Sequence, residues 1–139
     1  MRRLFDLIFA AVLFPLVILL IILCSIAIAV CEGRPIFFRS ERLGRYQQSF
    51  TIIKLRTMSA CAPLIPSSAE NAAVYVTKLG RFLRLTSLDE LPQLFNILNG
   101  SMAFIGPRPC LASEFELVES RERENIFSMT PGVTGLAQA

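Results

Sequence analysis

Two adjacent acids are the strongest candidates for chemistry in this chain of 139 residues. Asp89 and Glu90 lie in the run SLDELPQLFN, and the chain contains no histidine. Without histidine there is no imidazole base, no Ser-His-Asp or Cys-His arrangement and no histidine-ligated zinc site. Catalysis would then come from carboxylates, thiols, lysines or a metal ion. An acid pair followed by the arginine of the GPRP segment, Gly106–Pro109, points to phosphate chemistry.

A structural explanation also fits the acid pair. Ser87 to Glu90 has the form of a capping box, in which Ser87 caps a helix and Glu90 bonds back to the cap. Acidic residues in a first helical turn also complement the helix dipole. Pro92 complicates this explanation, because at the fifth helical position its missing N–H would cost a hydrogen bond. Regular helix is therefore expected to begin only around Glu90, and both explanations stay open on spacing alone.

The functional alternative gives the two acids different roles. The carboxylate of Asp89 would attack a phosphorus atom, while Glu90 would bind a Mg²⁺ ion that neutralises the phosphate oxygens. Arg84 and Arg108 are the candidate phosphate-binding residues, because a guanidinium can bind a phosphate through two parallel hydrogen bonds.

The N-terminal part of the chain reads as a membrane segment. Residues 7–31 contain no charged side chain, and a helix of that length would extend about 37 Å, against a hydrocarbon core of about 30 Å. We therefore predict a membrane-embedded helix over 1–33 and a folded domain over 34–139. Pro15 lies near the middle of the segment and predicts a kink. A simple span is the commoner outcome, and a re-entrant helix that enters and leaves by one face is the alternative.

Charge and cysteine content narrow the function further. The formal net charge is +3, and half of the arginines flank the apolar segment: Arg2, Arg3, Arg34, Arg39, Arg42 and Arg45. Their position fits an anionic lipid surface and anionic substrates better than nucleic acid. The four cysteines have no C-x-x-C spacing, so we expect reduced or buried thiols rather than disulfides or a metal site.

The remaining pattern predicts an α+β fold for the part after the membrane segment. Two short strands around Ile36–Phe38 and Phe50–Ile53, with a turn at 43–45, should form a hairpin. Ala60–Glu70 reads as an exposed loop. Further predicted elements are a helix over Thr77–Arg84, a helix with the buried face Leu91, Leu94, Phe95 and Leu98 that ends at Asn99–Gly100, a helix over Leu111–Asn125, and a loop over Thr130–Gly135.

These segments resemble the monotopic phosphoglycosyl transferases, the bacterial sugar transferases that start the synthesis of lipid-linked glycans. The matching pieces follow the family's order along nearly the whole chain. They are Arg3–Asp6, the helix broken at Pro15, Phe37 with Arg42 and Gly44, Lys54–Met58 (KLRTM), Ser87–Asn96, Gly106–Pro109 and Pro131–Gly135 (PGVTG).

The resemblance implies a two-step reaction at the cytoplasmic face of the bacterial inner membrane. Asp89 would take a sugar 1-phosphate from a nucleotide diphosphate sugar, for which a UDP-sugar is expected, and a polyprenyl phosphate would then accept it. Glu90 would bind Mg²⁺, and the N-terminal helix would be re-entrant. The expected partners are membrane lipid, the polyprenyl phosphate and the nucleotide sugar, with a homodimer left open. The phosphate-binding residues would be Arg84, Arg108, Lys54 and Arg56.

Departures from the family's pattern leave two other hypotheses open. Phe14 stands where the family usually has serine before the proline, Ser101 where it commonly has an acid, and Thr130 and Leu136 where it commonly has arginine and tryptophan. The chain also ends at Ala139, where family members usually continue. These features favour a shortened relative that binds substrates or partners without turnover. The third hypothesis is a single-pass anchor that carries a small interaction domain.

Overall fold

The computed structural model describes residues 2–59, 61–62 and 70–135, and it mixes helices with short strands. The α-helices of these residues are α1 (Arg2–Glu32), α2 (Lys78–Leu85), α3 (Leu94–Asn99) and α4 (Phe115–Arg123). The strands are β1 (Phe37–Leu43), β2 (Ser49–Leu55), β3 (Ala103–Ile105) and β4 (Gly132–Thr134). This architecture confirms the predicted α+β class, with a long apolar helix, a hairpin and several further helices.

Helix α1 runs without interruption through Pro15. Its buried side chains recur at spacings of four and seven residues and so lie on one narrow face: Asp6, Ala10, Val17, Ile21 and Ile28. Elsewhere the helix exposes large apolar side chains, such as Leu19, Ile22 and Val30. Among the described residues, α1 is the one helix whose length and composition would allow it to cross a membrane. This apolar exposure is typical of a helix surrounded by lipid, and the kinked, re-entrant path stays a prediction.

The chain forms two compact units that interleave along the sequence. The first unit combines the residues up to Pro15 with Arg39–Ile53 and the residues from Gln93 onward. The second unit combines Leu16–Phe38 with Lys54–Pro92. Helix α1 and the β1–β2 hairpin therefore contribute residues to both units.

The second unit is built around a small apolar core. Its fully buried members are Ile28 of α1, Leu55 of β2 and Leu83 of α2. Around them pack the partly buried side chains of Cys24, Ile36, Leu79 and Leu88. Helix α2 begins at Thr77, whose hydroxyl oxygen accepts a hydrogen bond of 2.8 Å from the N–H of Gly80.

Gly80 brings α2 unusually close to the chain that follows β2. A Cβ atom at this position would lie 2.0 Å from the carbonyl oxygen of Thr57, so no larger residue fits without displacing backbone. The same carbonyl accepts a hydrogen bond of 3.2 Å from the N–H of Thr77. The start of α2 is thus fixed against Thr57.

In the first unit, strands β3 and β4 form a parallel pair in which Ala103 is opposite Gly132 and Ile105 is opposite Thr134. The N-terminal end of α1 bonds to this unit in two places. Arg3 donates to the carbonyl oxygens of Ile97 and Leu98 at the end of α3, the latter at 2.8 Å. Farther along, Asp6 Oδ1 accepts from the N–H of Phe104 at 3.5 Å.

Several predicted elements are confirmed. Strands β1 and β2 form the expected hairpin, with a short 3₁₀ turn at Arg45–Gln47 between them. Helix α2 starts beside Thr77, as the pattern indicated. Helix α3 ends at Gly100, whose φ of 93° is the left-handed conformation that glycine favours at a helix end.

The predictions after residue 88 were less accurate. The buried face was wrong in part, because Phe95 is 39% exposed whereas Asn96 and Ile97 are buried. A 3₁₀ segment over Leu88–Gln93 precedes α3 and changes which side chains face inward, since its residues per turn differ from those of an α-helix.

The last two predicted segments also differ. The helix expected over Leu111–Asn125 is shorter, because the N–H of Leu111 donates to the carboxylate of Glu114 in a turn that precedes α4. The expected loop at 130–135 contains strand β4, which pairs with β3. A strand of three residues is too short to give a recognisable sequence pattern. Most of the predicted loop at 60–70 lies outside the described residues.

Candidate active site

The acid pair lies in the 3₁₀ segment Leu88–Gln93, between α2 and α3. The preceding Ser87 has a φ of 56°, in the left-handed region, whereas a residue that caps a helix start has an extended backbone. Regular α-helix begins only at Leu94, and Pro92 lies in the 3₁₀ segment. The predicted capping box at Ser87 is therefore not formed, although both acids do lie in the first turn of the 3₁₀ segment.

Asp89 is a buried acid, with 8% of its surface exposed. Burial raises the pKa of its carboxyl above the usual range, because a low-dielectric environment disfavours the charged form. The positive charge of Lys54 acts in the opposite direction, and the negative charge of Glu90 raises the pKa further. Arg84 and a backbone hydrogen bond also lower it. A buried carboxyl with two nearby cations is a candidate functional group.

Glu90 forms an ion pair with Lys54. The Nζ atom of Lys54 lies 2.6 Å from Oε1 of Glu90, and both side chains are about one-fifth exposed. A hydrogen bond from an ammonium to a carboxylate is stronger than one between neutral groups. This bond connects the end of β2 to the acid pair.

Arg84 extends from the last turn of α2 and is fixed by Thr57. Its Nε atom donates a hydrogen bond of 2.9 Å to Oγ1 of Thr57, which is buried. Thr57 was not predicted as a site residue, although it belongs to the KLRTM segment. The one signal in the sequence was its place in that segment, because a threonine alone indicates no particular role.

Arg56 is also buried, but its observed partners lie at the end of α1. Its Nη2 atom donates to the carbonyl oxygens of Glu32 and Gly33 at 2.9 and 3.0 Å. Its Nε and Nη1 atoms are buried without a hydrogen-bond partner among the described residues. Arg56 thus satisfies carbonyls at a helix end, where four have no partner within the helix. A phosphate contact for Arg56 stays a prediction.

Arg108 lies in the first unit and lines a small surface cavity. Pro107, Pro109 and Arg121 also line this cavity, and Arg121 donates a hydrogen bond to the carbonyl oxygen of Arg108. Burial lowers the pKa of the nearby Arg42 guanidinium, while Glu114 raises that pKa and Arg108 lowers it. Arg108 and Arg121 are the two cationic residues that line this cavity, and its other lining residues are apolar.

The predicted site residues thus fall into three groups. The second unit brings together Asp89, Glu90, Lys54 and Arg84. Arg56 belongs to the same unit but binds the end of α1. Arg108 belongs to the other unit.

The acid pair also fits a Mg²⁺ ion, although no group of three metal-ligating side chains occurs among the described residues. Magnesium in phosphate-handling sites is commonly bound by one or two carboxylates, with waters and substrate phosphates as the other ligands. A carboxylate can accept about four bonds, so the contact between Lys54 and Glu90 does not by itself exclude a metal. Glu90, with Asp89 beside it, would hold the ion.

Replacing Asp89 by asparagine should stabilise the protein at neutral pH. A carboxyl whose pKa is raised on folding binds its proton more tightly in the folded state, so stability falls as the pH rises through that pKa. Asparagine removes this cost. We expect the apparent melting temperature in detergent to rise by about 2–5 °C at pH 7. The gain should shrink toward pH 4, near the ordinary aspartate pKa of about 3.9.

The matched control is Glu119→Gln on α4, which removes an exposed carboxylate that pairs with Arg123. Exposed pairs contribute little to stability, so its melting temperature should change by no more than about 1 °C at any pH. Equal melting curves for Asp89→Asn and the parent protein across this pH range would contradict the prediction.

Comparisons with known proteins agree with the resemblance of the motifs. A family model for bacterial sugar transferases matches residues 1–139. A UDP-glucose:undecaprenyl-phosphate glucose-1-phosphate transferase of Caulobacter vibrioides is 39% identical over 141 residues, which cover 99% of this chain and 52% of that protein. A protein of the same name from Escherichia coli is 39% identical over 136 residues, covering 91% of this chain and 29% of that protein.

A third relative is the uncharacterized sugar transferase EpsL of Bacillus subtilis, which is 38% identical over 143 residues. That match covers 99% of this chain and 67% of EpsL. The chain therefore spans about half the length of the Caulobacter relative and about two thirds of the Bacillus one. Because the family model matches the whole sequence, the chain belongs to the bacterial sugar transferase family.

Proposed function

We propose that this protein transfers a sugar 1-phosphate from a UDP-sugar to a polyprenyl phosphate at the cytoplasmic face of the bacterial inner membrane. The observation that carries the proposal is the buried carboxyl of Asp89, which lies within the electrostatic influence of Lys54, Arg84 and Glu90. The printed names of the Caulobacter and Escherichia relatives support this class of donor and acceptor. The product would start the synthesis of a lipid-linked glycan.

In the first step, a carboxylate oxygen of Asp89 attacks the phosphorus atom that bears the sugar. A bond forms between that oxygen and phosphorus, and the bond from phosphorus to the oxygen of UMP breaks, so that UMP leaves. In the second step, a phosphate oxygen of the polyprenyl phosphate attacks the same phosphorus. The aspartyl bond breaks, the carboxylate of Asp89 is restored, and the sugar leaves as a polyprenyl diphosphate sugar.

The cations around Asp89 have two functions in this proposal. They favour the carboxylate form that the first step requires, and they attract the anionic diphosphate. Arg84 is suited to a phosphate because its guanidinium is planar and permanently charged. A Mg²⁺ ion held by Glu90 would neutralise phosphate oxygens and the departing UMP.

The transfer should be measurable as UMP release by the membrane-bound protein. With Mg²⁺, polyprenyl phosphate and a panel of UDP-sugars that begins with UDP-glucose, we expect release to fall about 1,000-fold or more in Asp89→Asn, because the nucleophile is lost. Glu119→Gln should keep the parent rate. Without the lipid acceptor, mass spectrometry should find a sugar phosphate on Asp89.

Two outcomes would contradict the proposal. Release equal to that of Asp89→Asn across the whole donor panel would favour a relative that binds substrates without turnover. Release without an adduct on Asp89, even after rapid quenching, would favour direct transfer between donor and acceptor and exclude the aspartyl intermediate.

The pH dependence of the transfer tests the role of Thr57 as a positioning residue for Arg84. In a plot of kcat/KM against pH, activity falls on the acidic side as Asp89 becomes protonated. Because the pKa of Asp89 is raised, we expect this fall, the acid limb of the profile, at a higher pH than for an ordinary aspartate. Thr57→Val removes the acceptor of the Arg84 hydrogen bond, and a displaced Arg84 would lower the pKa of Asp89 less. We expect the acid limb to move to higher pH, with kcat/KM about tenfold lower at its acidic end.

Thr57→Ser is the matched control because it keeps the hydroxyl group. It should restore the acid limb to its original position. A uniform loss of activity in Thr57→Val, with the limb unmoved, would assign Thr57 a purely structural role.

We also propose that α1 is re-entrant, so that both of its ends lie on the cytoplasmic side. Near its start, Arg3 and Asp6 bond to α3 and to Phe104, and at its end Glu32 and Gly33 accept hydrogen bonds from Arg56. Between residues 33 and 135, no described helix is long and apolar enough to cross a membrane. Each end of α1 is thus hydrogen-bonded to residues of the chain that follows it, which supports the proposal.

Labelling of introduced cysteines distinguishes a re-entrant helix from a single span. In a background without the four native cysteines, Leu4→Cys and Arg34→Cys place one thiol at each exposed flank of α1. A membrane-impermeant maleimide should label both in inside-out vesicles and neither in sealed right-side-out vesicles. Labelling of the two positions from opposite sides would show that α1 spans the membrane.

A further inference from the structure

Lys54 combines a fixed backbone with a side chain that can move. The next residue, Leu55, is 1% exposed in the core, and the N–H of Arg56 donates a hydrogen bond of 2.8 Å to the carbonyl oxygen of Ile36. The Lys54 side chain is 22% exposed, and its ammonium ends a flexible stem of four carbons. Its ion pair with Glu90 can therefore break by rotation of the stem, while strand β2 stays in place.

The charges of the acid pair are already balanced within the second unit. Asp89 and Glu90 carry two negative charges when both are ionised, and Lys54 and Arg84 supply two positive charges that act on Asp89. A divalent ion added to this set would leave two uncompensated positive charges beside side chains that are largely buried. Uncompensated charge is costly away from water. The release of one cation, or the arrival of an anion, would restore the balance.

Two cations on one carboxylate also repel each other. A carboxylate has lone pairs for both, but bonds of about 2.7–2.9 Å to an ammonium and about 2.1 Å to Mg²⁺ bring the two ions within about 5 Å. At that distance, charges of one and two units lower each other's affinity at least about tenfold, even at the dielectric constant of water. In the described part of the chain, no group of three metal-ligating side chains offers a stronger site. Lys54 and a divalent ion are therefore competitors for Glu90.

We propose that Lys54 is an exchangeable cation: it competes with a divalent metal ion for Glu90 and, once it gives up this carboxylate, moves its ammonium to the diphosphate of the nucleotide sugar. The inference rests on the proposed function and deepens it. Because the diphosphate both rebalances the charge and accepts the ammonium, the metal ion and the donor should strengthen each other's binding, and this coupling is reciprocal. In the absence of donor, the Lys54 ion pair keeps metal affinity low.

Metal affinity can be measured without any substrate. The full chain in detergent would be titrated with Mn²⁺, and the electron paramagnetic resonance signal of unbound Mn²⁺ would report binding. Lys54→Met keeps most of the stem and removes the charge, so it should bind Mn²⁺ at least about tenfold more tightly than the parent protein. Lys78→Met makes the same change at an exposed position of α2 and should bind as the parent does. Equal, weaker or unmeasurable binding by Lys54→Met would overturn the proposal.

A double variant identifies the carboxylate for which the two cations compete. In the Lys54→Met background, Glu90→Gln should remove the gain in Mn²⁺ affinity, because the two residues act as a coupled pair. A gain that survives Glu90→Gln would place the metal ion on other residues and overturn the proposal. Neither measurement uses a nucleotide sugar or a lipid acceptor, so failure here is distinguishable from failure of the transfer proposal, which UMP release tests.

The unaltered protein provides an independent test, because Lys54 and Lys78 are the two lysines of the chain. Brief acetylation with acetic anhydride, followed by mass spectrometry, gives the ratio of modified Lys54 to modified Lys78. Mg²⁺ should raise this ratio at least about threefold, because the ion pair that protects Lys54 is lost. UDP added with excess Mg²⁺ should lower the ratio again, because its diphosphate takes the ammonium.

The acetylation ratio separates the two parts of the proposal. An unchanged ratio at Mg²⁺ concentrations that displace bound Mn²⁺ would show that Lys54 keeps its place on Glu90, and would overturn the exchange. A ratio that stays high when UDP is added would overturn the transfer of the ammonium to the diphosphate.

Discussion

The close packing of Gly80 against the backbone of Thr57 is the contact on which the candidate site depends. Because no side chain separates the two, α2 lies near enough to the end of β2 for Thr57 to bind Arg84. Three residues earlier, Lys54 bonds to Glu90. One short stretch of chain therefore fixes both cations that act on the acid pair. Its position depends in turn on the apolar core that Leu55 shares with α1 and α2.

The buried carboxyl of Asp89 has a cost in stability when it is ionised. Burial disfavours the Asp89 anion, and the cations Lys54 and Arg84 offset only part of that effect, since the net pKa is raised. Groups under such opposing influences occur frequently where proteins carry out chemistry. The ion pair between Lys54 and Glu90 does not remove the cost, because it neutralises the other carboxylate. The site is thus expected to be locally less stable than a neutral version of itself.

The two arginines near the ends of α1 act on helix ends in the same way. Arg3 donates to carbonyls at the end of α3, and Arg56 donates to carbonyls at the end of α1. Carbonyls at a helix end lack partners within the helix, and a positive charge there also complements the helix dipole. Each end of this largely exposed, apolar helix is therefore hydrogen-bonded to residues outside it. The core of the second unit contains side chains of both α1 and α2.

The sequence by itself determined the long apolar helix, the hairpin, the start of α2 and the acid pair, because uninterrupted hydropathy, turn residues and carboxyl chemistry are local properties. It also suggested a capping box at Ser87 and a buried Phe95. Both predictions assumed an α-helix, whereas Leu88–Gln93 forms a 3₁₀ segment with fewer residues per turn. Only the tertiary structure decided which cation meets which acid, the carbonyl partners of Arg56, and the pairing of β3 with β4. These depend on contacts between residues distant in sequence, and such contacts are set by how the core packs.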